Sequence, residues 1–119
     1  MANKFLVHCA DGKNNAEGAT VTFIIAAAAA ATSDQTVIFL SSDAVRIATE
    51  AYGKEIQADG YETFRSYLAS FLENGGELWV CPVCVNARGI EKDELIEGAE
   101  IKGAAAVIEF VAEGAKLLK

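Results

Sequence analysis

Three short apolar runs, Lys4–Cys9, Thr36–Leu40 and Glu77–Cys81, recur along the chain, each followed by turn formers and a stretch of helical length. Runs this short and this apolar read as strands buried on both faces. Strands that alternate with helices of this length are joined by right-handed crossovers, which makes their pairing parallel. Two weaker runs, Ala99–Ile101 and Ala115–Leu118, add brief strands near the end. The pattern therefore predicts an α/β fold whose mostly parallel sheet is covered on both faces. A length of 119 residues makes it one domain.

The intervening segments fill in the helices. Ala19–Thr32 carries an alanine run of high helix propensity, whose smooth face suits close packing on the sheet or on another subunit. Ser41-Ser42-Asp43 offers N-cap side chains for a helix over Ala44–Tyr52. Tyr61–Glu73 places Phe64, Leu68, Phe71 and Leu72 on one face, and Asn74-Gly75-Gly76 ends it in a C-cap pattern. A short helix over Glu91–Ile96 and an amphipathic one over Gly103–Glu113, with Val107, Ile108 and Val111, complete the set. Asp11–Gly18 is a polar loop.

Charge and composition exclude several classes of function. A formal net charge of −7 with scattered lysines argues against nucleic acid, which demands clustered cations. An acidic surface keeps a protein dispersed and suits basic partner proteins. Val21–Ala31, the most apolar stretch, is too short to span a bilayer, so no membrane role is expected. Met1–Ala10 runs into Asp11-Gly12 rather than a small-residue cleavage site, and three cysteines do not make a secreted disulfide framework. A reducing, cytoplasmic location is expected. The two glycines of the Asp11–Gly18 loop are spaced unlike a phosphate-binding loop, and no cofactor is expected.

The stretch richest in chemistry is Cys81-Pro82-Val83-Cys84, followed by Arg88-Gly89. Pro82 cannot donate to a central ladder, so the third strand should stop near Cys81 and leave the tetrad as a loop. That loop lies at the carboxyl edge of the sheet, where parallel α/β proteins gather ligands. Four readings compete: a dithiol redox pair, half a zinc site, a sulfur carrier, and thiols that merely fill space. Structural zinc wants four protein ligands, and only Cys9 and His8 are available to supplement the pair. A thioredoxin-type tetrad follows an early strand and is accompanied by a second proline, whereas this chain has one proline and the tetrad after its third strand.

Sulfur transfer needs a nucleophilic thiolate with controlled access. Arg88 can supply positive charge, and backbone N–H groups of the Cys84–Gly89 turn can hold an anionic sulfur. Cys9 ends the first strand at the same edge and is either a third participant or a small buried residue. His8 should face the opposite side of the pleat and serve as a structural hydrogen-bonder. Asp11, Asn14 and Asn15 either line a pocket at this edge or form a solvated turn. Asp43 reads as a helix cap and Trp79 as core or interface.

Cys81 and Cys84 followed by Ala87-Arg88-Gly89-Ile90, together with Phe39-Leu40-Ser41-Ser42-Asp43-Ala44-Val45 in the earlier strand and turn, resemble the DsrE/DsrF-like family in its YchN-type branch. The resemblance covers nearly the whole chain. It implies a three-layer α/β/α architecture with a mostly parallel sheet of about five strands, assembled into homotrimers or homohexamers. It also implies persulfide relay between sulfur donor and acceptor proteins, a carrier more than a turnover enzyme. Relay members place the active cysteine eight residues before the glycine of the Arg-Gly pair, which is Cys81 counted from Gly89. Cys84 then becomes a resolving thiol or second carrier. An oligomeric binding or scaffold protein with structural or metal-binding cysteines, and a dithiol redox protein, remain the alternatives.

Overall fold

The computed structural model describes residues 3–118. Strands β1 (Lys4–Cys9), β2 (Gln35–Leu40) and β3 (Glu77–Val80) form at the three apolar runs, and β4 (Ala99–Ile101) and β5 (Lys116–Leu117) at the weaker ones. They make one sheet in the order β4-β3-β2-β1-β5 with every pair parallel. The helices are α1 (Ala16–Thr32), α2 (Glu50–Gly53), α3 (Phe64–Glu73), α4 (Pro82–Ala87) and α5 (Ala104–Ala112). Three 3-10 segments, Lys13–Asn15, Ser42–Ala48 and Lys92–Glu94, lie among them.

Strand order decides how the helices are shared out. From β1 to β4 each step goes the same way along the sheet, so right-handed crossovers lay their helices on one face. The return from β4 to β5 runs backwards across three strands and puts α5 on the other face. The core divides accordingly. Val7, Ile38, Leu78 and Val80 point into a large cluster with Phe23, Ala26, Phe64 and Phe71 from α1 and α3. Their neighbours Leu6, Val37 and Trp79 point the other way, into a small cluster with Phe110 and Ala115. This is the two-residue alternation of a pleated strand, visible even in strands buried on both sides.

The α1 face that meets the core carries Ala19, Phe23, Ala26 and Ala30, at helical three- and four-residue steps. The alanines bring the α1 backbone close, and Phe23 fills the space between, its ring 4.9 Å from Phe64 and 5.9 Å from Phe71 in edge-on geometry. Helix α3 ends at a left-handed Gly75 (φ +89°), after which the Gly76 N–H donates to the Phe71 carbonyl at 2.9 Å. A Cβ on Gly76 would stand 2.3 Å from the buried Phe71 ring. Gly76→Ala is therefore expected to lower stability by about 1–3 kcal/mol through overpacking, as measured by urea denaturation.

Several boundaries differ from the sequence reading. The helix expected over Ala44–Tyr52 is a 3-10 segment that breaks at Thr49, whose backbone is extended and bridges Leu95. Ser41, Ser42 and Asp43 supply no capping side chain there. Helix α1 begins three residues early because the Asn15 side chain accepts from the Gly18 N–H and caps it. Helix α3 begins at Phe64 rather than Tyr61, and the Glu91–Ile96 helix shrinks to one 3-10 turn closed by a Glu91–Glu94 capping box. The tetrad expected as a loop is the first turn of α4: Pro82 occupies the first helical position, where its missing N–H is no loss.

With α5 alone on its face, the sheet is only part-covered there. His8 is exposed and Phe39 half-buried beside a groove of about 400 Å³, lined also by Leu6, Val107, Ile108, Val111 and Leu117. Among the described residues no helix is long and apolar enough to cross a membrane.

Candidate thiol site

The carboxyl ends of β1, β2 and β3 finish level, with Cys9 beside Leu40 and Leu40 beside Val80. The Ser41 N–H donates to the Cys9 carbonyl and the Cys81 N–H to the Leu40 carbonyl, both at 3.0 Å, so the ladder extends into the chain segments that carry the site. Cys81 is the N-cap of α4, and its carbonyl accepts from the Val85 N–H at 3.0 Å. One turn of helix then brings Cys84 back to the side of Cys81. Both thiols are half-buried and form no disulfide, while Val83 between them is 74% exposed.

Two elements hold the pair, the 3-10 segment after β2 and the end of α4. The Ser42 N–H, from the elbow after β2, donates to Cys84 Sγ at 3.2 Å. Arg88, at the end of α4, donates from Nε to Asp43 Oδ1 at 3.0 Å and from Nη1 to the Cys84 carbonyl at 3.2 Å. Arg46 Nε reaches the same Asp43 oxygen at 3.1 Å. Asp43, read from sequence as a helix cap, is instead the clamp that fixes Arg88 beside the thiols.

The two thiols are driven apart in acidity. Burial alone would push the Cys81 thiol up, but a hydrogen bond from the Cys84 thiol, the backbone N–H groups of Cys84 and Val83, and the Arg88 charge outweigh it and bring it down. Cys84 is pushed up by burial and by that same hydrogen bond, against the opposing Ser42 N–H. Their titrations belong to the pair, and Cys81 is the sulfur that ionises first. The arrangement places the more acidic of two thiols beside the less acidic one, at the mouth of the sheet.

The Arg88 hydrogen bond, with burial opposing it and Arg46 assisting, holds the Asp43 carboxyl below the usual carboxylate range. A depressed carboxyl stabilises the fold above its unfolded pKa and loses that contribution as pH falls through its folded value. Asp43 is part-exposed, so Asp43→Asn is expected to lower stability by no more than about 1 kcal/mol at neutral pH. In acid the two proteins should converge, which paired urea titrations at neutral and low pH will show.

The structure brings Cys81, Cys84 and Arg88 together as the sequence suggested. Cys9 reaches the same edge but is 3% exposed, its Sγ donating to the Asp11 carbonyl at 3.4 Å, and it packs with the α1-side core. The Asp11 carboxylate accepts from Asn15 Nδ2 at 3.3 Å within its own loop. His8 faces away from Cys9, with Nε2 2.6 Å from Ser41 Oγ, and Trp79 lies in the small core cluster. No three His, Cys, Asp or Glu side chains among the described residues are grouped to hold a metal ion. Sequence reasoning missed the backbone of Ser42. Its signal was indirect, in the Ser-Ser-Asp that ends β2.

A family model described as the DsrE/DsrF-like family matches residues 3–119. An uncharacterized protein of Methanocaldococcus jannaschii, MJ0760, is 28% identical over 102 residues, a match that covers 86% of this chain. The chain spans 37% of that protein's length. The crystal structure of the YchN protein from E. coli superposes with a TM-score of 0.77 at 19% identity, covering 98% of this chain and 97% of that one. A protein of unknown function from Methanobacterium thermoautotrophicum, MTH1491, follows at 0.71 and 14% identity, over 98% and 97% of the two chains. At such identities the structures speak for the fold alone, the mostly parallel five-stranded α/β sheet with helices on both sides.

Proposed function

The chain belongs to the DsrE/DsrF-like family, and on that premise we propose that it relays sulfane sulfur as a persulfide on Cys81. The observation that carries the reading is a pair of half-buried free thiols one helical turn apart, with Arg88 clamped beside them, at the carboxyl edge of a parallel sheet. The Cys81 thiolate attacks the outer sulfur of a donor persulfide. A new S–S bond forms, the donor's S–S bond breaks, and the donor leaves as a thiolate. Transfer onward repeats the exchange with an acceptor thiolate, so no net oxidant is consumed. Cys84 and Arg88 stabilise the anionic sulfur of Cys81. The protein is a carrier between a donor and an acceptor protein, in a reducing, cytoplasmic compartment that keeps its thiols free.

Self-association into a trimer or hexamer belongs to the same reading. The part-covered side of the sheet exposes Ile108, Val111 and Leu117 next to each other, an apolar surface of the kind subunits cover. Light scattering at micromolar concentration is expected to give a mass of several chains, and a single-chain mass removes this element. A second reading, dithiol redox exchange, is favoured by the placement of two free, half-buried thiols three residues apart on one helical turn.

Intact-protein and peptide mass spectrometry after incubation with polysulfide tests the proposal. Added sulfur on the peptide holding Cys81 supports the relay. An unmodified protein, or a Cys81–Cys84 disulfide with no retained sulfur, overturns it, the latter in favour of redox exchange.

A further inference from the structure

Cys81 and Cys84 are free thiols whose backbones are anchored independently of each other. The Cys81 N–H donates to the Leu40 carbonyl and the Cys81 carbonyl accepts from the Val85 N–H, each at 3.0 Å. The Cys84 carbonyl accepts from Arg88 Nη1 at 3.2 Å. Pro82 stands between them at the first helical position, where its ring locks φ and stiffens the turn. Two sulfurs on one preset turn are a bidentate ligand. The Ser42 N–H donates to Cys84 Sγ at 3.2 Å, and an N–H given to sulfur favours its anion, the form that binds metal. Among the described residues no third His, Cys, Asp or Glu joins the pair in a group able to hold a metal ion. That shortage selects the ion. Structural zinc takes four protein ligands, and calcium and magnesium take a shell of oxygens. Soft thiolates select Cu(I), whose filled d shell is satisfied by two sulfurs in line.

We propose that Cys81 and Cys84 form a two-coordinate Cu(I) site, a bis-thiolate clip on the first turn of α4. Binding replaces two S–H bonds by two S–Cu bonds and releases both protons, with no change in the oxidation state of copper or sulfur. The complex carries one negative charge. Arg88, held beside Cys84 by the Cys84 carbonyl and by Asp43 Oδ1, supplies the opposite one. The Ser42 N–H serves as the outer hydrogen bond that orients a ligating thiolate. Both thiols are only half-buried, so a third thiol from an incoming protein can reach the ion and exchange for one cysteine. Such a site passes copper on rather than storing it. The inference stands apart from sulfur relay, because it needs both sulfurs where loading needs Cys81.

The probe is Cu(I) itself, added anaerobically as its acetonitrile complex to the full reduced chain in competition with bicinchoninate, whose colour reports the copper it keeps. Wild type is expected to take one Cu(I) per chain, with two sulfur neighbours in X-ray absorption. Cys81→Ser and Cys84→Ser should each bind about 100-fold or more weakly, because one thiolate alone makes no clip. If bicinchoninate keeps all the copper, the proposal is overturned, as it is by binding that survives either substitution. Zn(II) held as firmly as Cu(I), or copper bound between chains by more than two sulfurs, overturns it equally.

A second measurement needs no substitution. One equivalent of Cu(I) should slow iodoacetamide alkylation of both Cys81 and Cys84 in wild type by about tenfold or more, followed peptide by peptide, since a metal-bound sulfur is no free nucleophile. Alkylation of either cysteine at the metal-free rate overturns the site. Neither readout involves sulfur loading, and Cys84→Ser separates the two functions: loading is expected to survive there and copper binding to vanish. A protein that binds copper but loads no sulfur loses its relay role and keeps the metal site.

Discussion

Cys81→Ser is expected to cut sulfur loading from polysulfide by about 100-fold or more, because an unionised hydroxyl is a far poorer nucleophile than a thiolate at neutral pH. The side chains are close in size, and Cys81 is half-buried, so the fold should tolerate the exchange and the loss will report chemistry. Cys84→Ser is a different experiment. The serine hydroxyl still offers a proton to Cys81, and loading should survive with a rate reduced about three- to tenfold. In wild type, loading should titrate in below the ordinary thiol range, since the Cys84 hydrogen bond, two backbone N–H groups and Arg88 outweigh burial at Cys81. Intact-mass time courses across a pH series read all three quantities. If Cys84→Ser abolishes loading and Cys81→Ser spares it, the roles of the two sulfurs are exchanged.

The largest stability effect should come from Phe23→Ala, at about 3–5 kcal/mol. Phe23 is fully buried, meets Phe64 and Phe71 edge-on, and its neighbours along the same face of α1, Ala19 and Ala26, are too short to fill the space it leaves. Small residues make the hole rigid, and rigidity puts the loss at the upper end of the range. A domain of this size holds only about 5–15 kcal/mol in reserve, so a third or more of its margin should vanish. Phe23→Leu, which keeps most of the volume, should lose far less. Urea denaturation midpoints for the two variants give the comparison, and near-equal losses would show that the aromatic contact, not the cavity, dominates.

Strands announced themselves in the sequence because a strand buried on both faces must be apolar throughout, and Leu6-Val7, Val37-Ile38 and Leu78-Trp79-Val80 could be little else. Helix limits were harder to see because single hydrogen bonds set them. Asn15 begins α1 through one contact with Gly18, and Thr49 stops a helix by turning extended toward Leu95. The thiol site was legible as residue types at a spacing, with Arg88 close by. Asp43 and Ser42 were not, since their partners lie 42 to 45 positions away and one of the two interactions belongs to the backbone. The tetrad's helical start was also hidden: proline forbids the ladder and permits a first helical turn equally well, and sequence alone does not choose between loop and helix.

The position of β5 beside β1 bears on how the protein is made. Synthesis delivers β1 first, yet one of its two edges is paired only by Lys116 and Leu117, among the last residues described. Until those residues leave the ribosome, Phe5 and Leu6 sit on an open strand edge, the geometry most prone to pair with a neighbouring nascent chain. Closure then takes two ladder positions and the Leu118 N–H donating to the Leu6 carbonyl at 2.9 Å. A chain cut short before residue 116 would keep every residue of the thiol site and leave its first strand open on one edge.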